Sequence, residues 1–337
     1  MPAISDAAAI DPGVLRSGSR LVWALIAALA AAAALACWRA GLSVDCRTLP
    51  SLAVAVAISA PVAVFYRVIR PDPGIFYSTE SITQIFLISI FGALLAYGAA
   101  ASGMPLRDAA LLAADRWLGF DPRGYLDFVY AHPMLTLLCP LAYLSMIYQT
   151  VIVFVVLTLT RRIDRLHDFA VALVVSLAIT IAVFALVPAV GWYGYLAVDP
   201  AVYPRLQLFW NFVPHLQAVR AGTLHAIPLG DLRGIISFPS YHTAAATLAV
   251  WAVWPVRWAR WPMLGLNVLM VASAPIEGAH YLVDLGGGLA VGACAILAAS
   301  AARSAIRQHW AGRTPAPDQP PLPAGRGWKE RHAAGSI

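Results

Sequence analysis

The sequence predicts an all-α fold, a polytopic membrane helix bundle of about eight transmembrane helices. Three observations predict it. Of 337 residues, 60% are hydrophobic and 12% charged, about half the charged share of an ordinary soluble domain. Apolar runs of about 17 to 25 residues recur, the length that crosses a bilayer. The remaining charge gathers between those runs, with 23 Lys+Arg against 17 Asp+Glu and Lys329 as the single lysine. A net charge of +6 suits nucleic acid or a membrane surface, and its placement between apolar runs selects the membrane. The alanine-rich, lysine-poor composition points to a GC-rich bacterial genome.

The elements follow in order. Residues 1–20 are polar and read as a loose cytoplasmic segment. Leu21–Trp38 is the first span. Its flank of Arg16 and Arg20 and its Ala34-Leu35-Ala36-Cys37 suggest a signal sequence. Alanine rather than leucine stands three before the cysteine, so the run is read as an uncleaved helix. Leu49–Tyr66 is the second span, and residues 21–66 form an accessory pair. The other spans are Ile82–Ala101, Met134–Leu159, Phe169–Val190, His242–Val256, Trp261–Ile276 and His280–Ala302, so that residues 82–302 are the working membrane domain. Met104–His132 sets Arg107, Asp108, Asp115, Arg116, Asp121, Arg123 and Asp127 around Leu111, Leu112, Trp117 and Leu118, the pattern of an interfacial helix and loop. Residues 303–337, proline-rich after Gly312, read as a disordered cytoplasmic tail.

Basic residues orient the spans. With the N-terminus in the cytoplasm, that side receives fifteen Lys and Arg and the other side eight. Both termini are then cytoplasmic. The loop Gly191–Tyr241 and the turn before His280 share the opposite side, the periplasm or exterior of a bacterial inner membrane. Cys37, Cys46, Cys139 and Cys294 show no paired spacing, so neither a disulfide framework nor a zinc site is expected, and no metal or cofactor is called for.

Two polar interruptions stand out in the last third. Pro239-Ser240-Tyr241-His242 opens one apolar run, with Ser240 a natural N-cap. The free N–H groups of such a helix start can seat phosphate. His280-Tyr281-Leu282-Val283-Asp284 opens another, and a four-residue spacing sets His280 and Asp284 on one helix face. Interfacial snorkelling explains a lone histidine near a span end. An aspartate inside a span is costly and usually functional. Gly286-Gly287-Gly288 and Gly292 favour close approach of a neighbouring helix, by which His242 would near His280; packing alone explains them nearly as well. Two histidines and a carboxylate at an anion seat suit phosphoryl transfer, with His280 as nucleophile, Asp284 orienting it and His242 as acid and base. Cationic charge for the phosphate would come from the outer loop, which carries Arg205, Arg220 and Arg233. Arg220 is the first choice.

These residues resemble the type-2 phosphatidic acid phosphatase (PAP2) superfamily, with its PSGH and SRxxxxxHxxxD blocks. Tyr241 replaces the glycine of the first block. The second retains Ser273, His280 and Asp284, with Ala274 at the arginine position. The KxxxxxxRP block is absent, and Arg70-Pro71 stands on the wrong side. Phe238-Pro239-Ser240-Tyr241-His242 and Gly278-Ala279-His280-Tyr281-Leu282-Val283-Asp284 are closer to the inositol phosphorylceramide synthase (aureobasidin-resistance) branch, which Pro188–Tyr193 resembles faintly. The resemblance covers roughly Ile82–Ala302, making the last six helices a PAP2-like core. It implies His280, His242 and Asp284 as catalytic residues and Ser240 as a phosphate contact. Tyr241, Arg220 and Arg233 complete the expected substrate-binding set. The implied partners are membrane lipids, namely a phospholipid donor with a lipid hydroxyl or water as acceptor, and no nucleic acid. The expected function is head-group transfer, inositolphosphotransferase-like, with lipid phosphate or diphosphate hydrolysis as the alternative. A proton-coupled transporter and a catalytically silent scaffold are the competing classes. The transporter is weakened by the lack of internal repeats and by polar groups at span ends rather than at the midplane.

Overall fold

The computed structural model describes residues 11–45, 61–203 and 212–311. Its α-helices are α1 (Pro12–Arg39), α2 (Pro73–Ala100), α3 (Asp108–Trp117), α4 (Pro122–Ala131), α5 (Pro133–Leu159), α6 (Ile163–Leu186), α7 (Gly191–Tyr195), α8 (Phe212–Arg220), α9 (Tyr241–Val253), α10 (Arg257–Glu277) and α11 (Leu282–Ala311). Two three-residue strands, β1 (Ser43–Asp45) and β2 (Ala226–Pro228), pair in parallel. The fold is an all-α bundle. Most of the expected second span, Leu49–Tyr66, lies outside the described residues, as do Arg205 and the chain from 312 onward.

Helix starts share a local device. Asp11-Pro12, Asp72-Pro73 and Asp121-Pro122 put proline where a missing N–H goes unnoticed and a carboxylate where orphan N–H groups begin. Asp11 accepts from Gly13 N at 2.7 Å, Asp72 from Ile75 N at 3.1 Å and Asp121 from Arg123 N at 3.1 Å. Asp199-Pro200 repeats the device at a short turn, accepting from Ala201 N at 2.8 Å. These caps move two boundaries. α1 is already helical at Pro12, inside the segment expected to be loose, and α2 begins at Pro73 rather than Ile82. At the other end α11 runs to Ala311, so residues 303–311 are helix and not tail. Arg303 and Arg307 fasten it to Asp168 and Asp164 of α6 at 3.1 and 2.8 Å.

Five segments among the described residues are long and apolar enough to cross a bilayer: Pro12–Arg39, Pro73–Ala100, Pro133–Leu159, Ile163–Tyr195 and Leu282–Ala311. The chain is an integral membrane protein. One face of α5 exposes Met134, Leu137, Leu141, Leu144, Tyr148, Val151 and Val155. Their alternating three- and four-residue spacing makes a continuous apolar stripe that suits lipid.

Directions follow from side-chain pairs. Ser19 meets Glu80 at 2.7 Å and Cys37 approaches the Leu94 carbonyl at 3.6 Å, so α1 and α2 run parallel. α6 runs with them, its His167 against Gly18 and its Leu177 against Gly92. Gln149 contacts Met270 at 3.5 Å, making α5 and α10 antiparallel neighbours. Trp310 bonds Ser17 at 3.0 Å, so α1 begins where α11 ends. The described residues begin and end at that face. The starts of α9 and α11, with α3, α4 and α7, gather at the opposite face.

α9 and α10, at the expected spans His242–Val256 and Trp261–Ile276, are not among these five, and α9 is the shorter. Its 13 residues span about 20 Å, short of a hydrocarbon core of about 30 Å. The non-helical stretch before it carries buried Ile235, Ser237 and Ser240. Irregular backbone at membrane depth is tolerated when protein encloses it, and α5, α6, α10 and α11 surround α9. The short helix therefore starts inside the bundle, and a polar site forms there. Leu111, Leu112, Leu126, Trp192, Tyr193, Ile276 and Tyr281 form an apolar cluster that seats α3, α4 and α7 over it.

Candidate active site

The turn between α10 and α11 carries the site. Ala279 has φ +50°, a left-handed conformation costing a residue with a Cβ roughly 1–3 kcal/mol. Its carbonyl accepts from Trp192 N at 3.1 Å. His280 follows, 2% exposed, with Nδ1 3.2 Å from Asp284 Oδ2.

The pairing is the expected one, but its geometry is not. The spacing places both residues on one helix face, but α11 begins at Leu282, so His280 precedes it. Asp284 sits in the first turn and reaches back, its Oδ2 accepting from Tyr281 N at 2.9 Å and from Ser237 Oγ at 3.1 Å. The backbone part is half of a capping box. One carboxylate thus caps α11 and holds the imidazole.

The other first amides of α11 belong to α3. Leu282 N and Val283 N donate to Asp115 at 2.8 and 2.9 Å, and Asp115 is 0% exposed. Asp108 accepts from Val190 N at 3.1 Å and from Tyr281 Oη at 3.0 Å. Burial raises both carboxyls above the usual aspartate range. The segment expected to lie as an interfacial helix and loop comprises two helices. α3 turns these two acids inward and leaves Trp117 and Leu118 exposed.

α9 brings the second histidine. Ser240 is its N-cap, accepting from Thr243 N at 3.4 Å, and Ser240 N donates to the Asp284 carbonyl at 3.0 Å. Gly288 admits the contact: a Cβ there would collide with the Ser240 carbonyl oxygen and lie 2.7 Å from Thr243 Cβ, and one on Gly292 would meet Thr247 at 2.8 Å. With α9 and α11 so close, the rings of His242 and His280 meet edge to face with centroids 6.2 Å apart. Tyr143 of α5 stacks on His242 at 3.9 Å, nearly parallel.

His280, Asp284, His242 and Ser240 are therefore together. The remaining expected residues take other places. Tyr241 turns its hydroxyl towards Ser176 of α6. Arg220 donates to the Met104 carbonyl at 2.6 Å and lines a cavity of about 540 Å³ with Leu106, Val190, Gly194, Tyr195 and Gln217. Arg233 N donates to Tyr97 Oη at 3.2 Å, beside the end of α2.

Sequence reasoning missed Ser237, Tyr143, Asp108, Asp115 and Glu277. For the two aspartates a signal existed. Asp108, Leu111, Leu112 and Asp115 follow the i, i+3, i+4, i+7 pattern, which puts both acids on the apolar face of α3. Tyr143 lies in an unbroken apolar run and offers no such mark.

A family model described as the PAP2 superfamily matches residues 109–298, from α3 into α11. The matched region is more than half of the chain and leaves α1 and α2 outside. No curated protein and no solved structure matches. Membership carries phosphatase- or phosphotransferase-type lipid chemistry in general. The chain belongs to the PAP2 superfamily.

Proposed function

We propose that the protein is an inositolphosphotransferase-like membrane enzyme. It moves phospholipid head groups through a phospho-histidine at the outer leaflet, with both termini in the cytoplasm. The observation carrying this reading is the His280–Asp284 pair facing His242 across 6.2 Å at the start of α9. Asp284 holds Nδ1 of His280, which leaves Nε2 as the nucleophile. Phosphate sits at the first turn of α9, where helix-start N–H groups and the positive dipole end favour an anion. Nε2 attacks phosphorus, the bond from phosphorus to the leaving alkoxide breaks, and His242 protonates that oxygen. In the second half His242 takes the proton of the acceptor hydroxyl, whose oxygen attacks phosphorus, and the P–N bond breaks. Tyr143, stacked on His242, keeps the ring in place. Arg220 is the candidate cation, lining the neighbouring cavity.

Water in place of the lipid hydroxyl gives the phosphatase reading, which the superfamily match supports equally. Purified protein incubated with labelled phospholipid, with and without a hydroxyl-bearing acceptor lipid, separates the two. His280→Ala should lower turnover by about 10³-fold or more. Full turnover in that variant would sink the mechanism. Proton-coupled flux without any head-group product would support a transporter instead.

A further inference from the structure

Glu277 ends α10, three residues before His280. It is 1% exposed, and neither carboxyl oxygen has a hydrogen-bond partner among the described residues. The acids around it are engaged: Asp108 by Val190 and Tyr281, Asp115 by Leu282 and Val283, Asp284 by His280, Tyr281 and Ser237. Its carboxyl is near enough to the phenols of Tyr143 and Tyr193 and to Cys139 to act on them electrostatically. Packing gives no reason for an acid here, because leucine would fill similar space without the desolvation penalty. In its ionised form Glu277 repels phosphate. What it can satisfy is a hydrogen-bond donor beyond the phosphorus.

His280 is as closed off as Glu277, so substrate entry requires an opening at this face. The five-residue α7 lies between. Gly194 and Tyr195 line the cavity on one side, while Trp192 and Tyr193 pack in the cluster with Ile276 and Ala279 on the other. α7 thus borders the cavity with one part and packs with the other against Ile276 and Ala279, which flank Glu277 in the chain.

We infer that Glu277 recognises the head group, accepting hydrogen bonds from O–H or N–H groups on the alcohol esterified to the phosphate. This rests on the phosphotransferase reading. A polyol and an ammonium share the donor chemistry, and the experiment separates them.

The full chain in liposomes is offered phosphatidylinositol, phosphatidylethanolamine and phosphatidylcholine, the last lacking a donor. The readout is the ratio of kcat/KM between head groups within one preparation, which a folding defect scales equally and leaves unaltered. The wild type should favour a donor-bearing head group over choline by about ten- to hundredfold, and Glu277→Leu should bring that ratio near one. Glu277→Gln should abolish a preference for ethanolamine, which needs the charge, and keep part of one for inositol. A ratio unchanged in Glu277→Leu overturns the inference. Free inositol and ethanolamine provide a readout independent of turnover. Either should raise the melting midpoint of the wild type and not of Glu277→Leu. If no phospholipid turns over but this difference persists, the phosphotransferase reading falls and the Glu277 site stands. If neither alcohol stabilises the wild type, the site falls.

Discussion

Replacing Asp115 with alanine would strip two amides at the start of α11 of their acceptor. Leu282 N and Val283 N lie 2.8 and 2.9 Å from its two oxygens, and the residue is 0% exposed, so water has no path to take over. A buried donor left unsatisfied costs about 1–3 kcal/mol, and a lost capping side chain typically about 1 kcal/mol. These are two measures of the same two bonds, about 2–6 kcal/mol by the first and about 2 kcal/mol by the second, so the expected loss is about 2–4 kcal/mol. At about 2 °C per kcal/mol for a chain of this size, the melting midpoint in detergent should fall by about 4–8 °C. Asp115→Asn keeps one acceptor and should lose about half as much. Turnover should fall with stability, because the same helix start fixes Asp284 against His280, and a shift of about 1 Å in a reacting group can cost about 10²-fold. The assay pairs a melting curve with kcat and KM for each variant. A midpoint within about 1 °C of wild type for the alanine variant would show that α3 does not clamp α11.

Three further outcomes are expected. Burial raises the Asp108 and Asp115 carboxyls above their unfolded range near pH 4. Their contribution is therefore fully present below that range and is lost as pH rises through the folded values. Melting midpoints measured upward from about pH 4 should show this decline, and Asp108→Asn should flatten it; an unaltered slope in that variant would count against the assignment. Gly288→Ala should destabilise by about 1–3 kcal/mol and separate His242 from His280. Gly286→Ala, with nothing within 4 Å of the new Cβ, should be neutral or gain up to about 1 kcal/mol; equal melting curves for the two would contradict the α9–α11 contact. Tyr143→Phe keeps the ring on His242 and should retain most of the turnover, while Tyr143→Ala should lose about tenfold or more, so comparable rates would remove the stacking role.

Much of this molecule is legible in the chain. The helical bundle, most of its spans and the end at which His242 and His280 meet follow from hydropathy and from two short polar interruptions. Helix starts are legible too: the Asp-Pro pairs at 11, 72 and 121 mark caps that a hydropathy window passes over, because a cap is a single hydrogen bond and not an averaged quantity. His280 and Asp284 illustrate a different gap. Their spacing correctly predicts contact, but the contact arises from a capping geometry, because the helix begins two residues after the histidine. The arginines show another gap. Their residue type and loop position fit a phosphate clamp, but the sequence does not place Arg220 at the cavity beside α7, nor the acids of α3 at the turn before α11.

The sequence by itself determined what is additive along the chain: which segments are apolar enough to cross a membrane, which residues can cap a helix, and which segments carry ionisable groups into apolar surroundings. Each is set by the transfer free energy or capping chemistry of neighbouring residues. Only the tertiary structure decided what each buried charge meets. Asp115 finds its partners 167 and 168 residues away and Asp108 finds Tyr281 173 residues away, while Glu277 finds none among the described residues. Hydrogen bonds depend on distance and direction to within a few tenths of an ångström, and between such distant residues both are set by how the helices pack.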